Sequence, residues 1–305
     1  MIEFKPVRLE DRAVIERYTM PSGICNCDLA FANMYCWQAV FHSAWAEIGG
    51  FLVIRFQIDG GERIGYMQPV GEGDFGPILP LLREDAHAHG QRLRIIGLTD
   101  EGRDTIRRIV PCHFAFESDR ALEDYVYNAD DLRNLAGRRY QPKRNHINRF
   151  VENNPTWTYE EITPATLPEC LEMDKEWYRR SLQREGDAEE RDLGDEGIAL
   201  RTAMEHYEEL GLEGGLIRVY GEVVAFTIGD RLSADTYDVH FEKAYGELQG
   251  AYAMINREFA RWVRARHPEI RYLNREDDMG VEGLRKAKQS YYPDLMVEKH
   301  TAVMK

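Results

Sequence analysis

Three groups of residues have types and spacing suited to chemistry. Asn274, Arg275 and Glu276 stand where a short apolar strand ends and an acidic turn begins. Positions just outside the carboxyl end of a strand are where open α/β sheets bind ligands, although capping before Gly280 would use the same residue types. A basic strip, AGRRYQPKRNHINRF, carries Arg138, Arg139, Lys143, Arg144 and Arg149 between Ala136 and Phe150, with no acid. Such a strip either contacts phosphates or solvates one helix face. In the strand-like segment from Asp235 to Phe241, Thr236, Asp238 and His240 alternate with Tyr237, Val239 and Phe241, so the two sets point to opposite faces. Anion binding and proton transfer are the chemistries on offer. Arg285, Lys286 and Lys288 add cations further on, but exposed helical lysines are common. Cys25 and Cys27 are one residue apart, too close for a zinc knuckle, and no second ligand pair supports them, so no metal site is expected.

Composition narrows the classes. The chain has 305 residues, 43% hydrophobic and 11% aromatic, enough for two packed domains. Its net charge of −14 repels nucleic acid and anionic membrane at long range, which leaves the basic strip as the one anion-binding candidate. The opposite extreme, Glu185 to Glu196, reads as a solvated acidic loop. No run approaches a membrane span and the N-terminus lacks a signal-peptide core, so a cytoplasmic protein without integral membrane contact is expected.

The elements that must position these groups repeat a theme. In the first half, Phe51–Ile58 and Arg63–Gln68 read as a hairpin around Asp59-Gly60-Gly61. Helical and strand segments alternate from Phe75 to Glu117. The aromatic segment CDLAFANMYCWQAVF is explained by core packing. The second half opens with QPKRNHINRFVENN, a helix with Pro142 in its first turn. Leu216–Tyr220, Val223–Ile228 and Asp235–Phe241 then form a meander. The glycine-bearing loop KAYGELQG leads into a helix from Ala251 to Arg264, with apolar positions 252, 255, 259, 262 and 263 on one face. A strand ending at Asn274, an amphipathic helix, Tyr291-Tyr292-Pro293 and a final strand complete the half.

Hairpin, strand, glycine-bearing loop, helix, strand, helix, tyrosine and final strand is the element order of a GNAT acyltransferase core. More closely, YQPKRNHINRF, VVAFTIGD, VHFEKAYGELQGAYAMIN and NREDDMGVEGLRKAKQSYYP resemble a bacterial family of paired GNAT-like domains. That family shares its fold with the C-terminal domain of phosphatidylglycerol lysyltransferase and with the Fem-type aminoacyltransferases. The detailed motifs cover Leu132 to Lys305; FKPV and DLAFANMYCW carry the likeness in the first half. The resemblance implies an α/β fold of tandem GNAT-like domains, residues 1–134 and 135–305, each a mixed, mostly antiparallel sheet flanked by helices, with the second catalytic.

It also implies roles. An amine attacks an activated acyl group, so the site must take up a proton, stabilise an oxyanion and protonate the leaving group. The oxyanion donor is expected between Val239 and Glu242, with His240 and Glu242 as candidate bases; a satisfied core histidine and a surface Glu242–Lys243 ion pair would account for the same residues. Tyr291, favoured over Tyr292 by the apolar face of Val281, Leu284 and Ala287, is the expected proton donor. Asn274, Arg275, Gly250, Arg138, Arg139, Lys143 and Arg144 are the expected donor- and substrate-binding residues. Acetyl-CoA enzymes hold pyrophosphate on a Q/R-x-x-G-x-G/A loop. With Gly250 as its first glycine, Glu247 and Tyr252 depart from that pattern. Aminoacyl-tRNA is therefore preferred to acyl-CoA as donor, with no tightly bound cofactor and a small-molecule, peptide or lipid-headgroup amine as acceptor. An acyl-CoA enzyme and a non-catalytic tRNA- or peptide-binding module remain as alternatives.

Overall fold

The structure, a computed structural model, describes residues 2–182 and 187–305, with side chains described except at 182 and 187–193. The chain divides into two compact units. One comprises the segment up to Asp124 together with Asp277–Arg285 and Met296–Lys305; the other comprises Tyr125–Glu276 and Lys286–Leu295. No described helix is long and apolar enough to cross a membrane.

In the first unit, β1 (Lys5–Pro6), β2 (Ala44–Ile48), β3 (Phe51–Ile58) and β4 (Arg63–Met67) lie side by side as antiparallel neighbours. The expected hairpin turn is present, with Gly60 in the left-handed region at φ 69°. β5 (Val70–Gly71) pairs with β3, and β6 (Arg94–Leu98) runs parallel to β4. Then comes β7 (Phe114–Ser118). The helices are α1 (Arg12–Thr19), α2 (Phe31–Cys36), α3 (Gln38–Phe41), α4 (Leu79–Ala88) and α5 (Asp100–Ile109). Val53, Tyr66, Leu82, Ile95, Leu98 and Ile106 build the core under one sheet face. Phe31, Met34 and Cys36 of α2 are buried, so packing accounts for the aromatic segment.

The second unit starts two elements earlier than the helix at Gln141. β8 (Asp124–Asn128) and α6 (Ala129–Asn134) precede α7 (Gln141–Asn153), β9 (Thr158–Glu161), α8 (Leu167–Leu182) and α9 (Asp187–Glu205). The acidic run read as a loop is helical from Asp187, as its Ala-, Glu- and Leu-rich composition allows; Glu185 and Gly186 lie outside the described residues. β10 (Glu213–Val219), β11 (Glu222–Arg231) and β12 (Thr236–Ala244) form the expected meander. α10 (Ala251–Arg266), β13 (Tyr272–Asn274), α11 (Glu282–Gln289) and β14 (Leu295–Val297) follow. The strand order of this sheet is β14-β8-β13-β12-β11-β10-β9, with β12 and β13 parallel. The chain's last strand, β15 (His300–Met304), pairs with β6 and β7 and so lies in the first unit's sheet. On α10 the buried face runs through Ala251, Met254, Ile255, Phe259 and Val263, with Tyr252 of the expected face exposed.

Two features of β12 prepare the site. Its ladder to β13 stops at Asp238↔Asn274, where β13 ends, while β12 continues for six residues to Ala244. Its pairing with β11 is also irregular: Ile228 faces Phe241 and Gly229 faces Val239, which leaves His240 as an extra residue. Gly229 permits this, since a Cβ there would lie 2.0 Å from the Asp238 carbonyl oxygen. A bulge of this kind turns the strand and re-aims its side chains. Tyr237 meets Phe259 of α10, yet Glu242, of opposite parity, meets Asn256 of the same helix. Lys243 instead reaches Trp177 of α8. The strict alternation expected through Phe241 therefore breaks at His240.

Candidate functional site

Where β13 leaves β12, a cluster of polar side chains converges in the second unit. Arg275 Nη2 donates to Glu242 Oε1 at 2.8 Å, with the two side chains only 12% and 10% exposed. Asn256 Nδ2 donates to the other carboxylate oxygen of Glu242 at 3.2 Å. Both Glu242 oxygens are thus engaged, and the surface ion pair with Lys243 is absent: Lys243 bonds Glu196 at 2.6 Å. Arg275 Nη1 and Asn256 Oδ1 are buried without a hydrogen-bond partner among the described residues. A buried polar atom left in that condition costs on the order of 1–3 kcal/mol until something pairs with it.

Tyr291 faces inward at 4% exposed, whereas Tyr292 is 46% exposed, which answers the choice between them. The end of α11 is held by backbone contacts: Tyr127 donates its hydroxyl to the Lys288 carbonyl at 2.7 Å, and Tyr140 donates to the Tyr291 carbonyl at 3.1 Å. The Tyr291 ring lies 5.0 Å from the Arg275 guanidinium carbon and 3.7 Å from Lys143 Nζ. Burial pushes its phenol well above the usual range, so the hydroxyl keeps its proton. Lys288 is buried and donates to the Arg275 carbonyl oxygen at 2.5 Å, which ties α11 to the turn after β13.

The basic strip resolves into separate jobs. Arg144 is spent on the Leu135 and Gly137 carbonyl oxygens, which closes the turn before α7. Arg139 pairs with Asp131 at 2.6 Å. Arg138 and Arg149 are exposed. Lys143 is half-buried, and no carboxylate among the described residues lies within ion-pair distance of it. Burial, then the charge of Arg275, pull its ammonium down to about 8, with Glu242 opposing them.

His240 occupies a second cluster. Its Nε2 lies 2.8 Å from Asp230 Oδ1, and its Nδ1 lies 3.1 Å from Glu276 Oε1 and 3.7 Å from Asp238 Oδ2. Burial works against a charge there, but Asp238 and the hydrogen bonds to Asp230 and Glu276 outweigh it, and the imidazole is held well above its ordinary value. Asp238, His240 and Glu276 bring potential metal ligands within 4.8 Å of one another. Asn274 is buried and accepts from the Glu276 amide at 2.7 Å, which fixes Glu276 in the left-handed region at φ 55°. Gly250 caps α10 at φ 91°, and a Cβ there would meet the His146 carbonyl oxygen of α7 at 2.2 Å. Its role in the fold is thus a close helix approach. Glu247 pairs with Arg180, and the Tyr252 hydroxyl accepts from Trp177 at 3.1 Å, so both departures from the CoA pattern are engaged in packing. Sequence reasoning missed Asn256 and Tyr127. A polar residue directly after the apolar run Ala253–Ile255 of α10 was the available signal for the first; Tyr127 gave none, because its strand precedes the motifs.

The geometry agrees with solved structures. A conserved protein of unknown function from Bacteroides thetaiotaomicron is 42% identical, with 100% of both chains covered and a TM-score of 0.93. L-PGS from Bacillus licheniformis is 15% identical over 100% of this chain and 94% of that one, at a TM-score of 0.68. FemX, 10% identical, covers 98% and 97% at 0.60, and these two likenesses are of fold. No curated protein matches the sequence. Residues 23–303 match the family described as phosphatidylglycerol lysyltransferase, C-terminal. The chain therefore belongs to that family and has its tandem GNAT-like fold.

Proposed function

We propose that the second unit is an acyltransferase site that moves an aminoacyl group from an activated carrier to an amine. The observation that carries this reading is the buried, unpaired Arg275 Nη1 and Asn256 Oδ1 on either side of Glu242, beside the protonated Tyr291. A tetrahedral intermediate develops negative charge on the former carbonyl oxygen, and Arg275 Nη1 is a preorganised donor for it. Tyr291 supplies the leaving group's proton. Glu242 and Asn256 Oδ1 are acceptors suited to an amine or ammonium, which an aminoacyl donor and an amine acceptor both carry. His240, clamped by carboxylates, positions Glu276 and the turn that bears Arg275.

The family's own description, a lysyltransferase, favours an aminoacyl group over other acyl groups. The preferred donor is an aminoacyl-tRNA, a substrate rather than a resident cofactor. Exposed Arg138 and Arg149 are available to its phosphates, and the −14 net charge makes that contact strongly salt-dependent. The acceptor is a small-molecule, peptide or lipid-headgroup amine. A thermal-shift and mass-spectrometric screen against charged tRNA and CoA thioesters tests the reading. Stabilisation and deacylation are expected with charged tRNA, and Tyr291→Phe should lower turnover by ~100-fold or more with little change in stability. A response to CoA thioesters alone would move the donor to acyl-CoA, and silence with both would leave a binding module.

A further inference from the structure

Amide formation removes one proton from the attacking nitrogen, and the expected bases are both engaged elsewhere. Each oxygen of Glu242 accepts a hydrogen bond, one from Arg275 and one from Asn256. Each nitrogen of His240 faces a carboxylate, at 2.8 Å and 3.1 Å, so the ring has no lone pair to offer. Lys143 differs from both. It projects from α7 over the Tyr291 ring at 3.7 Å, and no carboxylate among the described residues lies within ion-pair distance. The groups facing it are Tyr291 from the end of α11, Arg275 from the turn after β13 and Glu242 from β12. Tyr127 of β8 adds a ring edge-on to Tyr291. Burial and the like charge of Arg275 favour the free amine there, against the attraction of the aromatic face and of Glu242.

We propose that Lys143 is the catalytic base of the transfer, the residue that takes the proton from the attacking amine. This rests on the acyltransferase reading above. The acceptor nitrogen attacks the carbonyl carbon, a C–N bond forms, and the carbonyl π pair moves onto oxygen beside Arg275 Nη1. The nitrogen then passes one proton to the neutral Lys143 Nζ. As the oxyanion collapses, the bond to the carrier breaks, its electron pair leaves with the carrier oxygen, and Tyr291 protonates that oxygen. Lys143 then returns its proton, through solvent, to the Tyr291 phenolate, so the cycle closes with no oxidant or added reactant. The expected role of Lys143 as a phosphate contact needs a fixed positive charge; a base needs a lysine that loses it near neutral pH. The lowering of its ammonium to about 8 is consistent with the second.

Two measurements test this, and they fail separately. The first needs no substrate. The intact protein is treated with limiting acetic anhydride over a pH series, and each lysine is followed by peptide mass spectrometry. Lys143 should acylate several-fold faster than other lysines at neutral pH, with a midpoint near 8. A midpoint at the ordinary lysine value of roughly 10.4 would overturn the assignment. The second uses the charged tRNA or thioester that the wild type turns over. Lys143→Arg keeps the charge but cannot act as a base, and it should lower kcat by ~100-fold, remove the limb of the pH profile near the lysine midpoint and leave donor affinity unchanged. Lys143→Ala should lose the same activity and recover part of it with added small primary amines. A wild-type pH profile in Lys143→Arg, or a loss confined to KM, would overturn the proposal and leave the acyltransferase reading standing. A wild type inert to every donor overturns that reading and the lysine's role with it, whatever the labelling shows.

Discussion

Replacing Lys143 with methionine should make the folded protein more stable at neutral pH. The ammonium is held down from 10.5 to about 8, chiefly by burial. Taken at face value, that difference corresponds to ~3 kcal/mol of destabilisation when the group is charged. The side chain is only half-buried, so solvent screening reduces this to about 1.5–2 kcal/mol. Methionine fills similar space but gives up the cation's interaction with the Tyr291 ring, which is worth roughly 0.5–1 kcal/mol. The net expectation is a gain of about 1 kcal/mol. Its pH dependence is diagnostic. The unfolded chain holds this proton more tightly than the folded one, so the penalty is complete below about 8, fades as pH rises toward 10.5 and is absent above it. Urea unfolding followed by circular dichroism at about pH 7 and about pH 9.5 should show the advantage of the variant shrinking with pH. A variant less stable at neutral pH, or offset equally at both values, would refute the argument that burial strains this lysine.

Other substitutions separate the parts of the site. Arg275→Met strands the buried Glu242 carboxylate and should cost ~3–5 kcal/mol in a urea melt, with Glu242→Gln added to it recovering most of the loss. His240 should carry protons on both ring nitrogens at neutral pH in nitrogen-15 NMR. Because its folded value is raised, its stabilising contribution is full below ~6.5 and is lost only as pH climbs through the raised value; a neutral tautomer at neutral pH would contradict the carboxylate clamp. Gly250→Ala must move the His146 carbonyl of α7 and occupy a left-handed backbone, so a loss of more than ~1 kcal/mol is expected, without a specific change in donor affinity of the folded fraction.

These outcomes bear on what a sequence can and cannot convey about such a site. Element order was legible from Phe51 to Glu117 and, apart from the acidic run, from Gln141 to Tyr292, because hairpin glycines, capping prolines and helical periodicity act over a few residues; β8 and α6 between them were not. Tyr291 does point inward, but not through the apolar face expected of α11: Val281, Leu284 and Ala287 are exposed, and Lys288 is the residue that helix buries. Membership of strands in sheets was not legible either. β8 joins the second sheet and β15 the first through pairings that local pattern does not encode. The site itself was obscured by one extra residue: the bulge at His240 moves Glu242 onto the face of α10, where it meets Asn256 and Arg275, while uninterrupted alternation would have put Glu242 beside His240. The basic strip misled for a related reason. Charge is visible in a sequence but burial is not, and the same five cations include an exposed Arg138, an Arg144 spent on a turn and a Lys143 pressed over an aromatic ring. What sets Lys143 apart is that no carboxylate among the described residues lies within ion-pair distance of it, Glu242 acting only from further off. A lysine so placed keeps a cost in the fold that a purely structural position would have shed, and that cost is what makes its amine available for chemistry.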